Sequence, residues 1–260
     1  MRYAVIEVMS ADQIMEIEEI ACRAWPAKYT QALGGWLLRS TEGVTHRANS
    51  VLPLRPPPKG DIEKALQIVQ EFYSEHQLPV QFQMTTASQP TNLDEVLQSY
   101  GLEILMHVIV QTANLNEALV DEPEVGIVIM SEPWDEWYRA YCQFAEFDST
   151  RFAVRRGIIS RISNEKACAA AIKDDKIIGV GLGVLDGIWL GLFSLVTQKK
   201  YRRQHVATSI TQSLISWAQS QGAKKVYLQV SESNKSAREL YYNLGFKDAY
   251  IYWYRLGKEL

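Results

Sequence analysis

Cysteine is scarce in this chain of 260 residues: Cys22, Cys142 and Cys168 are the only three, and no two of them form a C-x-x-C pair. Both facts argue against a disulfide framework or a zinc site, and the reading is a protein of the reducing cytoplasm. Histidine is equally sparse. His46, His76, His107 and His205 are dispersed and no H-E-x-x-H occurs, so no metal is expected. A basic excess is also missing. The formal net charge is -3, which argues against a dedicated nucleic-acid binder. The N-terminal residues include Glu7, Asp12 and Glu16 and do not read as a secretory signal. Only one run, Ile177 to Val196, is apolar enough to resemble a membrane span. Asp186-Gly187 interrupts it, and Asp-Gly between apolar runs marks a hairpin. Two buried strands are expected there, and no membrane partner.

What is present is ordinary globular chemistry. Hydrophobic residues make up 47% of the chain and charged residues 22%. That is enough apolar mass for a core, and the length suits two modest domains or one large one. The second half is the more regular. Ala167 to Lys173, Ile177 to Leu185 and Ile188 to Val196 read as three strands, turned by Asp174-Asp175-Lys176 and by the Asp-Gly pair. A basic loop follows, Lys199-Lys200-Tyr201-Arg202-Arg203. Val206, Ile210, Leu214 and Trp217 then recur at helical spacing, in a helix starting near Gln204. Val226, Leu228 and Val230 alternate as a strand. Ala237, Leu240, Tyr241 and Leu244 mark a second helix, capped by Asn234 or by Ser236 in a capping box with Glu239. Phe246 to Leu256 reads as a last strand.

The first half repeats this order in weaker form. Gly35 to Ser40 and Val44 to Val51 read as strands. A helix carries Ile62, Leu66, Val69 and Tyr73, and Val80, Phe82 and Met84 alternate. A short helix around Leu93 to Tyr100 ends at Gly101, and Leu102 to Val110 reads as a strand. An internal duplication is the preferred reading. The segment from Thr112 to Gly126 is the natural linker, and a helix from Trp134 to Phe144 opens the second domain. The expected division is 1-118 and 125-260. The glycines at 179, 181 and 183 are spaced by two inside a strand, so they are not a dinucleotide fingerprint. Pro56-Pro57-Pro58 reads as a stiff loop.

The chemistry points to the strand, basic loop and helix between 192 and 217. The first N–H groups of a helix lack internal partners, and the helix dipole favours an anion there. Together they make a phosphate or pyrophosphate site, to which Arg202 and Arg203 add charge-assisted donors. The residues from Val196 to Thr208 resemble the acetyl-CoA motif of the GNAT superfamily, R/Q-x-x-G-x-G/A. Arg202 takes its first position and Ala207 its last, and His205 stands where the middle glycine would. A histidine fits there if its backbone is helical, and not readily if φ must be positive. The run Asn234 to Phe246 resembles the later family motif N-x-x-A-x-x-L-Y-x-x-x-G-F, with every key position filled.

The resemblance covers about 125 to 260 and implies an α/β (α+β) fold with a mixed, mostly antiparallel central sheet flanked by helices. The first half resembles a degenerate GNAT domain, whose phosphate-loop position, Leu54 to Gly60, holds three prolines and so lacks three donors. By the same resemblance, acetyl-CoA would be held by Leu195, Val196, Thr197, Arg202, Arg203, Gln204, His205, Val206, Ala207, Thr208 and Asn234. The strand from Lys225 to Val230 would splay away to admit the pantetheine. Tyr241 would be the catalytic acid that protonates the departing thiolate. The implied reaction is N-acetyl transfer to a primary amine of a small molecule or peptide, by a monomer or homodimer. The other reading is a non-catalytic acyl-CoA sensor of the same fold. Glu232, Glu146 and Asp148 lie where a base would be useful, and none stands out as the base.

Overall fold

In the computed structural model, residues 9–58, 62–118 and 124–257 are described. The two halves of the chain open differently and then each run through three strands, a helix, a strand, a short helix and a strand. After α1 (Ala11–Ala24), the first gives β1 (Tyr29–Leu33), β2 (Trp36–Ser40), β3 (Leu52–Pro53), α2 (Ile62–Glu75), β4 (Gln81–Met84), α3 (Leu93–Ser99) and β5 (Glu103–Asn114). The second opens with β6 (Gly126–Met130), α4 (Asp135–Phe144) and α5 (Ser149–Ser160). It then gives β7 (Lys166–Lys173), β8 (Lys176–Asp186), β9 (Trp189–Thr197), α6 (Val206–Ser220), β10 (Lys225–Ser231), α7 (Lys235–Asn243) and β11 (Lys247–Leu256). Ile177 to Val196 is thus two strands, paired antiparallel across Asp186-Gly187. Among the described residues no helix is long and apolar enough to cross a membrane.

The chain packs as two units that do not follow its midpoint. One comprises the described residues of 110–156 and 162–249; the other comprises those of 9–109, 157–161 and 250–257. The strands β5 and β11 each contribute to both.

In the unit containing residues 162–249, the strand order is β5-β10-β9-β8-β7-β6. Its pairs are antiparallel from β6 to β9, and β9 and β10 run parallel. This is the mixed, mostly antiparallel sheet flanked by helices that the sequence implied. The alternate glycines of β8 face α6. A Cβ on Gly181 would lie 2.6 Å from Cγ2 of Ile210, and one on Gly179 would lie 2.7 Å from Cγ1 of Val206. Their spacing of two is the period of one strand face; it lets the helix that starts at the basic loop lie directly on the sheet. Trp137 of α4 is buried, its indole N–H donating to the Ala169 carbonyl of β7 at 2.9 Å.

The other unit has a core of Trp36, Leu38, Val69, Tyr73, Phe82 and Leu97 among others. Here β11 pairs antiparallel with β4, from Trp253↔Met84 to Leu256↔Gln81. Its buried face also holds a polar network. Glu18 of α1 accepts from Tyr250 Oη at 2.7 Å and from Gln83 Nε2 at 2.6 Å, and Arg39 donates to Gln83 Oε1 at 2.9 Å. Burial pushes the Glu18 carboxyl above its ordinary value.

The expected strand Val44 to Val51 does not form. Asn49 takes over its backbone instead. Its Oδ1 accepts from the N–H groups of Thr41 and Gly43, and its Nδ2 donates to the carbonyls of Val44 and Thr45. Such side-chain bonds compete with a strand ladder and win where the chain must turn. β2 finds its partner in β1 instead, from Tyr29↔Ser40 to Leu33↔Trp36. The proline segment closes over the turn between them. The amide of Gly35 donates to the Pro56 carbonyl at 2.8 Å, and a Cβ on Gly34, at φ +58, would lie 2.5 Å from Pro58 N. Lys59 and Gly60, the end of the expected phosphate-loop position, lie outside the described residues. β5 runs on to Asn114, into the segment expected to be linker.

Candidate active site

The parallel ladder between β9 and β10 begins at Lys225↔Trp189 and stops at Leu228↔Leu192. β9 continues to Thr197 and β10 to Ser231 beyond that last pair. Two adjacent strands that cease to pair leave backbone N–H and C=O groups open to another extended chain. The other side of β9 is irregular at the same level. Its register against β8 shifts between Val180 and Leu182, and Ser194 takes a left-handed φ of 52°. This is a β-bulge, a device that re-aims a strand next to a site. The hydroxyls of Ser194 and Thr197 are buried without a hydrogen-bond partner among the described residues. Unpaired buried hydroxyls are costly and call for an explanation.

The strand leads through a short 3₁₀ turn, Lys199–Tyr201, into α6. That helix begins at Val206, two residues later than the periodicity placed it. No side chain caps it, and its first internal bond runs from the Ser209 amide to the His205 carbonyl at 2.9 Å. The N–H groups of Val206, Ala207 and Thr208 therefore have no acceptor in their own helix. Arg203 and His205 both adopt left-handed φ, 58° and 57°. Gln204 stands between these two left-handed residues, and the turn they make leads directly into the start of α6. Arg202, Arg203, Gln204 and His205 are exposed. The His205 backbone thus takes the conformation that the glycine of the motif would take freely.

This carries a stability prediction. A non-glycine residue in the left-handed region is strained by roughly 1–2 kcal/mol, partly offset by glycine's greater freedom when unfolded. His205→Gly is expected to raise stability by about 0.5–1 kcal/mol, read as a higher melting temperature. A lower melting temperature would show that the imidazole contributes more than the strain costs. The carboxylate of Glu124 is 3.8 Å from its ring and exposed, so little is lost with the imidazole.

Of the remaining expected residues, Asn234 follows directly on β10, its amide donating to the Ser231 carbonyl at 2.9 Å. Asn234 caps α7, its Oδ1 accepting from the Ala237 amide at 3.2 Å. The Ser236–Glu239 capping box is thus not the one used. Tyr241 is the only buried residue of α7, 8% exposed, with its ring 5.5 Å from that of Phe246. Burial holds its hydroxyl well above the ordinary tyrosine range, so it stays protonated. Of the carboxylates weighed as bases, Glu146 is exposed, and the ammonium of Lys199 bonds to it and lowers its pKa. Asp148 accepts from the Arg151 amide at 2.8 Å at the start of α5. Both are engaged structurally. Among the described residues no group of three or more His, Cys, Asp or Glu side chains is placed to hold a metal ion.

The alternation and glycine signals of the sequence located the strands and turns around this region. They gave no sign of the bulge, because a left-handed serine inside an apolar strand leaves no compositional mark. A second polar cluster also went unseen: Arg238 and Tyr242 on α7, Asp248 on β11 and Gln111 on β5.

The model of the family described as "Probable histone acetyltransferase Rv0428c C-terminal" matches residues 11–255. An uncharacterized N-acetyltransferase, YobR of Bacillus subtilis, is 30% identical over 251 residues, which cover 95% of this chain and 100% of that protein. The probable histone acetyltransferase Rv0428c of Mycobacterium tuberculosis is 24% identical over 238 residues, 90% of this chain and 70% of that one. Among solved structures, a GCN5-related N-acetyltransferase from Kribbella flavida superposes with a TM-score of 0.72 at 13% identity, covering 98% of this chain and 97% of that one. A tandem GNAT protein from the clavulanic acid biosynthesis pathway superposes with a TM-score of 0.67 at 12% identity, covering 96% and 89%.

Proposed function

This chain belongs to the Rv0428c C-terminal family of GNAT acetyltransferases, and on that premise we propose that it passes an acetyl group from acetyl-CoA to a primary amine. The observation that carries the proposal is the early end of the β9–β10 ladder at Leu228↔Leu192, beside the uncapped start of α6. The two lie in sequence order for a long ligand with amides at one end and phosphates at the other.

In this reading the pantetheine amides pair with the open backbone of Leu195, Val196 and Thr197, as an added strand does. The pyrophosphate accepts from the first-turn amides of α6, Val206, Ala207 and Thr208, and from the turn at Gln204 and His205. Arg202 and Arg203 add charge at the exposed rim. Asn234, at the start of α7, contacts the pantetheine. The amine attacks the thioester carbonyl, the C–N bond forms, the C–S bond breaks, and Tyr241 donates its proton to the sulfur. The amine loses its own proton to water, and Tyr241 regains a proton from water before the next turnover; no carboxylate is assigned as base. The acceptor is a small-molecule or peptide amine.

Calorimetric titration of the full chain with acetyl-CoA tests the binding half of this. Micromolar affinity is expected, weakened about tenfold or more in Arg202→Ala/Arg203→Ala, since each phosphate contact to a charged donor is worth about 1.5–3 kcal/mol at best and less at an exposed rim. Absence of binding at millimolar acetyl-CoA would overturn the proposal. Binding of acetyl-CoA without turnover against a broad panel of amines would favour the sensor reading.

A further inference from the structure

The helix that carries Tyr241 is short and has little apolar hold. α7 spans Lys235–Asn243, and Tyr241 is its only buried residue. Its other flank is fastened by polar groups instead. Arg238 and Tyr242 lie one turn apart. Arg238 Nη2 donates to Asp248 Oδ2 at 3.1 Å and to Tyr242 Oη at 3.2 Å. The Tyr242 hydroxyl donates in turn to Asp248 Oδ2. Asp248 is fixed from the far side, its Oδ1 accepting from Gln111 Nε2 of β5 at 2.8 Å. One carboxylate therefore ties α7 to two strands, using both of its oxygens.

Arg238 and Asp248 are partly buried, and with Gln111 they anchor α7 where its apolar contacts are few. The residue next to Tyr242 is the one placed to carry chemistry. Tyr241 and Tyr242 are neighbours in one helix and point about 100° apart around its axis. Holding Tyr242 from one side therefore fixes how far α7 rotates, and with it where the Tyr241 hydroxyl lies.

We propose that Asp248 is a positioning residue for acetyl transfer: through Arg238 and Tyr242 it sets the rotation of α7, and so the placement of Tyr241. This rests on the reading of Tyr241 as the acid. It involves no new bond-making step; Asp248 acts on geometry alone. A misplacement of about 1 Å can lower a rate by up to about a hundredfold.

The test is made on the full chain with 3-fluorotyrosine at position 241, read by fluorine NMR with and without coenzyme A. This readout needs no acceptor. A single resonance that moves on adding coenzyme A is expected. Asp248→Asn should split or broaden it and shrink that movement. Tyr242→Phe, which removes one hydroxyl and keeps the ring, should do the same with the fold intact by circular dichroism. An unchanged fluorine spectrum in both variants overturns the proposal. Turnover of acetyl-CoA with poly-L-lysine as the amine gives the second arm. Each variant should lower kcat about tenfold with the KM for acetyl-CoA nearly unchanged, and add nothing in a Tyr241→Phe background, because both then act through a hydroxyl already gone. Additive losses overturn the positioning role alone. A kcat untouched by Tyr241→Phe overturns the acid reading itself, and the positioning role with it.

Discussion

Tyr241→Phe is expected to lower kcat by about 10²–10⁴-fold while leaving the affinity for acetyl-CoA unchanged. The separation follows from where the hydroxyl acts. The contacts that would hold the cofactor come from β9, the basic loop, the start of α6 and Asn234, and none uses the Tyr241 hydroxyl. The phenol matters only as negative charge gathers on sulfur. Its burial, at 8% exposure, keeps it protonated well past neutral pH. A free thiol has a pKa of about 8.5, so a phenol raised above the tyrosine range would give up its proton uphill. The same low-dielectric surroundings raise the pKa of a thiolate formed beside it, and the gap narrows. The sign of the pH dependence follows. A phenol with a raised pKa remains a donor as pH rises, so kcat should show no loss from its ionisation below about pH 10. Calorimetry and initial rates on one preparation decide the matter. Equal loss of binding and turnover would remove Tyr241 from the chemistry and leave it as core. An alkaline limb below pH 10 that disappears in Tyr241→Phe would show the hydroxyl to be far less shielded than its burial implies.

Asp94→Ala is expected to destabilise the unit that contains residues 9–109 through charge rather than through lost packing. Arg255 of β11 is only 4% exposed. Asp94 meets its guanidinium with both oxygens: Nε donates to Oδ1 at 2.8 Å and Nη2 to Oδ2 at 2.7 Å. Nη1 donates to the Leu102 carbonyl at 2.8 Å, and the Trp253 indole donates to Asp94 Oδ1 at 2.7 Å. Removing the carboxylate strands a buried cation and orphans the indole. Breaking a fully buried pair costs about 3–5 kcal/mol, but the Asp94 side chain is about a third exposed, so about 2–3 kcal/mol is expected here. Urea unfolding at pH 7 should show a lower midpoint. Replacing both partners, Asp94→Ala with Arg255→Met, should recover part of the loss, because no charge is then left buried. If the double variant is no better than the single one, desolvation of Arg255 is not the main cost.

The same pair has a defined pH dependence. The Arg255 guanidinium lowers the Asp94 pKa, against a smaller opposing effect of burial. A lowered folded-state pKa means the stabilisation is fully present above the unfolded value of about 3.9 and is lost as pH falls below it, toward the folded value. Acid unfolding of the wild type should therefore include a proton uptake that Asp94→Asn lacks.

The periodic parts of this fold were legible in the residues. Val206, Ile210, Leu214 and Trp217 announced α6, and Asp174-Asp175 and Asp186-Gly187 announced the two turns that pair β7, β8 and β9. Val44 to Val51 misled, because its apolar content reads as a strand while Asn49 has four hydrogen bonds to offer the local backbone. The sequence pattern shows neither α1 nor α5, nor β6, whose five residues begin at Gly126, where the segment read as linker ends. The two motifs around Arg202 and Tyr241 were visible as spacing.

By itself, the sequence determined the order of helices and strands from β7 to β11, the dispersal of its cysteines and histidines along the chain, and the residue types at the basic loop and on α7. Those depend on neighbours within one turn or one hairpin, and local chemistry settles them. Only the tertiary structure decided that β9 and β10 part after Leu192 and Leu228, that His205 turns left-handed, and that Asp248 gathers Gln111, Arg238 and Tyr242. It also decided that residues 250–257 pack with the unit of residues 9–109. Each of these is a pairing or a backbone angle set by groups far apart in the chain, and the free energy that selects it exists only once those groups have met.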